Sequence, residues 1–200
     1  MDVSEVIKKR RSIRKFKQDP IPDEKIRHLL ESARLAPSGT NTQPWRFIVI
    51  KDEETKKKLQ KAAHNQRHIG CAPVIIACCA DLRTFEEFPK RVDELIESGA
   101  LPERSREVFI PRLEKGMKTV SKTSLIIAAA ANVAIAAEHI VLRAVELGLG
   151  TCWVRWYDDN KVKEILGIPE YVEVMALLPI GVPDENPKQT AKSKSGRDYL

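Results

Sequence analysis

Aromatic residues make up 6% of the chain, too few to line a channel for stacked bases. The four cysteines, Cys71, Cys78, Cys79 and Cys152, have no CxxC spacing, which argues against a thiolate metal site or a dithiol redox motif. Cys78 and Cys79 are adjacent, so in a strand they point to opposite faces. No GxxxxGK[ST] phosphate loop and no GxSxG nucleophile elbow occurs. Gly148-Leu149-Gly150 starts like a dinucleotide fingerprint, but the third glycine is absent and a β-prone run follows instead of a helix. A bound phosphate would therefore have to be held mainly by side chains. The longest apolar run, Leu125 to Ala137, is broken by Asn132 and is short for a bilayer span. The polar start Met1-Asp2-Val3-Ser4-Glu5 lacks the apolar stretch of a secretory signal, so a cytoplasmic protein with reduced, mostly buried thiols is expected.

What is present is globular. Hydrophobic residues are 42% and charged residues 31% of 200, enough for one domain over 1–200 with a sizeable core. The net charge of +6 is spread among acidic residues, so neither a nucleic-acid partner nor a membrane is expected. The pattern predicts a helix capped by Ser4 and a second opened by Pro22 and Asp23, with Ile26, Leu29, Leu30 and Ala33 on one face. A charged helix over 53–63, a long Ala-rich helix over 124–147 and a short helix after Asp158 or Asp159 follow the same rules. β-Prone runs fall at 47–50, 73–80, 151–157 and 172–180. Residues 82–120, charged and interrupted by prolines and glycines, read as one or two helices covering the core. The expected class is α+β, a central mixed, mostly antiparallel sheet wrapped by helices.

Two segments carry chemistry. Arg10, Arg11, Ser12 and Arg14 put three guanidinium groups and a hydroxyl into five residues. Such forks match phosphate oxygens and stay charged at any working pH. A basic helix end would look similar. Residues 37–45, PSGTNTQPW, are turn chemistry that exposes amides and short polar side chains beside an apolar wall, which suits a flat heteroaromatic ring. A plain helix-to-strand loop has the same composition. His64 and His68 have the i, i+4 spacing of two helix-borne ligands, but no third ligand is apparent and no metal is expected. No side-chain acid or base stands out as catalytic.

Arg10 to Phe16, Ala36 to Trp45, Gly148 to Trp153 and Ala176 to Gly181 occur in that order, and together they resemble the nitroreductase family of FMN-dependent oxidoreductases. The resemblance runs from about residue 3 to 187, except in the 82–120 segment. It implies an intertwined homodimer with FMN at the interface, NADH or NADPH as hydride donor, and a small-molecule acceptor such as a nitroaromatic or quinone, reduced by ping-pong exchange. It further implies that Arg10, Arg11, Ser12 and Arg14 hold the FMN phosphate and ribityl chain. Pro37, Ser38, Gly39 and Asn41 would touch the partner's flavin. Gln66, or alternatively Asn65, would reach the pyrimidine edge. The backbone amides of Val154, Arg155 and Trp156 would face the hydride-accepting nitrogen, and Arg197 or Lys194 would close on the phosphate. Arg155-Trp156 stands where small relatives often carry Gly-Gly, which bears on substrate range. A specialised flavin reaction on the same fold (reductive dehalogenation, flavin fragmentation or natural-product dehydrogenation) is the alternative; a basic nucleic-acid-binding protein is a remote one.

Overall fold

The computed structural model describes residues 1–187. One four-stranded sheet lies at its centre, built from β1 (Trp45–Ile50), β2 (Val74–Asp81), β3 (Gly150–Thr151) and β4 (Val172–Gly181) in the order β1-β2-β4-β3. Every pairing between these strands is antiparallel, and a lone Ser12–Thr151 bridge adds a parallel contact. The inner strand β2 reads as an unbroken apolar run because both its faces are covered. Ile76 and Cys78 join one core; Ile75, Ala77 and Cys79 join the other. The two adjacent cysteines thus point to opposite faces, and burial raises both thiol pKa values, that of Cys79 to about 12.

Eight α-helices surround the sheet among the described residues. They are α1 (Val3–Lys9), α2 (Asp23–Arg34), α3 (Glu53–Ala62), α4 (Arg67–Gly70), α5 (Phe88–Glu97), α6 (Ser105–Thr119), α7 (Lys122–Glu146) and α8 (Asp159–Leu166). The apolar stripes of α2 and α7 pack together and on one face of the sheet; α3 and α8 cover the other. Short polar side chains cap these helices: Asp52 for α3, Ser121 for α7 and Asp158 for α8.

Three expectations are corrected here, and one, the long helix over 124–147, is met. The cap of α1 is Asp2, whose carboxylate accepts from the Glu5 amide, so Ser4 lies inside the helix. Helix α7 is longer than its apolar run. Its 25 residues span about 38 Å. By length and composition it could cross a membrane, but Ala129, Val133, Ala136, Ala137 and Ile140 are buried on the sheet. The strand expected over 151–157 is confined to Gly150–Thr151 plus a bridge from Val154 to Leu177, because beyond it Arg155 and Trp156 turn to the surface. His64 and His68 do not share a helix face, since α3 ends at Ala62 and His64 adopts a left-handed backbone with φ 53°. Residues 82–120 form a 3₁₀ turn followed by α5 and α6, with Pro111 and Gly116 inside α6.

One buried cation joins these layers. The Lys56 side chain is 2% exposed. Its ammonium donates to the Ala72 carbonyl at 2.7 Å and the Pro73 carbonyl at 3.3 Å, and meets Glu53 at 2.6 Å. This anchors α3 to the entrance of β2 and fixes the α4 segment between them. Lys56→Met keeps the volume and strands the carbonyls; we expect a loss of about 1.5–3 kcal/mol in urea unfolding.

Candidate functional site

The basic motif is laid out by alternate burial. At Arg10 the chain leaves α1 with φ −54° and ψ 130°, and then runs extended. Ile13 and Phe16 turn inward and are each 6% exposed; Arg14 and Lys15 face out. The inward pair sits on two glycines. A Cβ on Gly150 would lie 2.5 Å from Ile13 Cγ1, and one on Gly181 would lie 2.8 Å from Phe16 Cδ1, so neither position has room for a side chain. Backbone bonds hold the motif along this edge: Ile13 N–H to the Thr151 carbonyl, Lys17 N–H to Val182, and Asp184 N–H to Lys15. Glu185 completes the fixation, its carboxylate accepting from the amides of both Arg14 and Lys15.

Among the described residues, no carboxylate side chain forms an ion pair with Arg10, Arg11 or Arg14, whereas Arg34, Arg46, Arg83, Arg91, Arg106, Arg143 and Arg155 all have one. Arg11 is engaged differently: its Nη1 donates to the carbonyls of Lys8 and Arg10 at the end of α1. Arg14 acts on two further groups that the sequence did not connect to it. Burial raises the Cys152 thiol, and Arg14 and Ser12 oppose that rise. Burial, reinforced by the Arg14 charge, lowers the His68 imidazole below 6.5, with Glu185 opposing. The Nε2 atom of His68 is buried and has no hydrogen-bond partner among the described residues. Guanidiniums without a carboxylate partner are strong donors for an anion, and the His68 nitrogen adds a donor or an acceptor according to its tautomer.

The 37–43 loop is strained and internally satisfied. Thr40, Asn41 and Gln43 have φ of 50°, 51° and 45°, left-handed values costly for non-glycine residues. Ser38 Oγ accepts from the Gln43 amide, Thr42 donates to the Gly39 carbonyl, and Gln43 Nε2 donates to Asn41 Oδ1. Asn132 of α7 pins the loop from below, accepting from the Gly39 amide at 3.0 Å. The polar break in the α7 apolar run was visible in sequence; its tie to this loop was not.

The Gln66 side chain bridges two segments, its Nε2 donating to the carbonyls of Ala63 (3.0 Å) and Trp156 (2.8 Å). Asn65 beside it has a left-handed backbone, φ 59°. Val154 exchanges both backbone bonds with Leu177, so its amide is taken. The amides of Arg155 and Trp156 have no bonded acceptor among the described residues. The Arg155 guanidinium pairs with Asp159 at 3.0 Å and lies 4.9 Å from the Tyr157 ring centre. The Trp156 indole is 71% exposed and stacks on His64 at 4.5 Å. The expected contacts at Lys194 and Arg197 lie outside the described residues.

Neutral His68 ties stability to pH. Its folded pKa lies below the ordinary value, so the unfolded chain takes the proton first as pH falls. The contribution is full above 6.5 and is lost as pH drops toward the folded value. Thermal melts of the ligand-free protein between about pH 7 and 5.5 should show this decline, and His68→Gln should flatten it.

Residues 7–182 match the profile of the Nitroreductase family. A Thermus thermophilus NADH dehydrogenase is 34% identical over 92% of this chain and 88% of its own length. A Thermotoga neapolitana iodotyrosine deiodinase is 26% identical over 90% and 88%. Among solved structures, a candidate nitroreductase from Exiguobacterium sibiricum in complex with FMN superposes with a TM-score of 0.83 at 28% identity, covering 96% of this chain and 93% of that one. With the family profile spanning most of the chain and a fold shared with solved members, the protein belongs to the nitroreductase family.

Proposed function

We propose that the protein is an FMN-dependent oxidoreductase that passes reducing equivalents from NADH or NADPH to a conjugated small-molecule acceptor, a nitroaromatic or a quinone, in ping-pong fashion. The observation that carries this reading is Arg14, free of any carboxylate partner among the described residues, acting on His68, whose buried Nε2 bonds to none of those residues. When bound, FMN supplies the ring that accepts the hydride. The chain's own residues bind and orient it. Arg10, Ser12 and Arg14 would hold the phosphate and ribityl chain; Arg11 would join them on releasing the α1 carbonyls. Gln66 has both amide hydrogens engaged and offers Oε1, an acceptor suited to a ring N–H. Asn65 is the alternative. Of the 154–156 amides, those of Arg155 and Trp156 have no acceptor among the described residues and can donate; Val154 serves by fixing their position on β4.

The working unit in this reading is a homodimer in the cytoplasm, with residues 1–200 as one domain. Helix α7 leaves Ile127, Ala128, Ala131, Ala134 and Ile135 exposed on one side, an apolar face that a second copy would cover. Pro37, Ser38, Gly39 and Asn41 would then touch the ring held by the partner subunit. Similarity to an iodotyrosine deiodinase supports a second reading, a specialised reaction such as reductive dehalogenation on the same cofactor.

The purified protein should show flavin absorption bands or acquire them on adding FMN, and NADH should bleach them. A colourless protein that takes up no FMN refutes the proposal. Arg14→Ala should weaken FMN binding about tenfold to hundredfold, the worth of one charge-assisted contact, as read by fluorescence titration.

A further inference from the structure

A cavity of about 650 Å³ lies between α3 and α8, on the face of the sheet opposite α7. Lys58, Lys61 and Lys161 line it, with Glu164 as its one acidic side chain. Lys58 pairs with Glu54 at 2.8 Å and Lys161 with Asp158 at 3.2 Å. Both pairs lie at the surface, where an ion pair is weak and exchanges for a better anion. The Asp158 carboxylate is further engaged as the cap of α8, accepting from the Lys161 amide. Lys61 has no carboxylate partner among the described residues.

A flat platform adjoins this cavity. The Trp156 indole stacks on His64 with ring centres 4.5 Å apart and planes at 29°, yet it is 71% exposed, so its other face is open. The platform is fixed from both sides. The Trp156 carbonyl accepts from Gln66 Nε2 at 2.8 Å, and His64 is set by a left-handed turn, φ 53°. Platform and cavity meet at one backbone bond: Ala62, which lines the cavity, accepts at its carbonyl from the Asp158 amide at 2.9 Å. An open aromatic face beside a free ammonium suits a nucleotide, whose base stacks and whose phosphate takes the charge. A neutral aromatic molecule would use the indole and leave the lysines idle.

We propose that Trp156 and Lys61 hold the adenosine half of the hydride donor, the purine on the open indole face and the 2′-phosphate in the lysine-lined cavity, so that the protein prefers NADPH to NADH. This rests on the oxidoreductase reading above, in which the Trp156 amide faces the flavin ring while the side chain of the same residue meets the far end of the donor. The two coenzymes share the nicotinamide, the pyrophosphate and the adenine and differ only in the anionic 2′-phosphate. A lysine-lined cavity next to the base platform acts on that difference. Glu164 opposes the phosphate, and His64 is a positioning residue that keeps the indole in place.

The test mixes the FMN-loaded protein, without oxygen, with NADPH, NADH or reduced nicotinamide mononucleotide, which carries the same hydride-donating ring and no adenosine. The donor concentration that gives half the maximal rate of flavin bleaching is read. NADPH should reach it at about one tenth of the NADH concentration, the effect of one charge-assisted contact. Trp156→Ala should bring the mononucleotide-to-NADH ratio down about five- to hundredfold, the worth of a stacked base, and Trp156→Phe should restore most of it. Lys61→Gln should erase the preference for NADPH, and Glu164→Gln should enlarge it. Calorimetry provides a measure independent of the flavin: adenosine 2′,5′-bisphosphate should bind more tightly than AMP, and Lys61→Gln should remove the margin. Equal half-saturation by NADPH and NADH overturns the proposal. So does a mononucleotide-to-NADH ratio untouched by Trp156→Ala, or a preference that survives Lys61→Gln. A protein that binds no FMN overturns the oxidoreductase reading instead; the bisphosphate calorimetry on that protein still judges the nucleotide site, and no binding there overturns it.

Discussion

The absence of two side chains organises this molecule. Gly150 and Gly181 leave the floor against which Ile13 and Phe16 are buried, and a Cβ at either position would overlap those side chains. Once the two apolar residues are seated, the residues between and before them have little choice. Arg14 and Lys15 must face outward, Ser12 must lie against Thr151, and the chain after β4 must run beside the motif to close the remaining backbone bonds. Segments far apart in sequence, 10–17, 148–153 and 176–185, are thereby one structural unit. The backbone of the basic cluster is thus mounted on the sheet by its apolar neighbours, which fixes where its charged side chains emerge.

The charge is also kept available. Some arginines elsewhere are neutralised locally: Arg83 holds Asp81 in a bidentate pair that depresses the carboxyl pKa, and Arg46 adds to it. At the motif the nearest carboxylate, Glu185, is directed at the amides of Arg14 and Lys15. Glu185 therefore stabilises the backbone there without forming an ion pair with the guanidiniums. Burial keeps His68 neutral beside the same cluster, so this end of the molecule combines strong donors with one unspent ring nitrogen.

Much of this was legible in the sequence where a residue acts through its own local chemistry. The apolar spacing of Ile26, Leu29 and Ala33 gave α2, and Asp158 and Gly167 bracket α8 as capping and left-handed preferences dictate. Where two short polar residues compete, local rules do not decide; Asp2 took the cap that Ser4 could have held. The strand at 151–157 failed for a non-local reason. β4 pairs with it only at Gly150, Thr151 and Val154, and β-prone side chains cannot supply a missing ladder. The basic motif and the 37–45 loop stood out through unusual composition. The roles of His68, Glu185 and Asn132 stayed hidden because each depends on a partner more than fifty positions away.

The cover helices stand apart from the cradle in one respect. The residues that anchor the basic motif lie in the sheet, in the segment before α2 and in the chain after β4, whereas the apolar wall over the 37–41 loop comes from α5 and α6 and the turn between them. The apolar wall and the mount of the basic motif are thus encoded in separate stretches of the polypeptide. A transplanted α5–α6 hairpin from another scaffold of this shape would rewrite the first while leaving the second in place, which makes this excursion the natural unit for recombination and laboratory evolution.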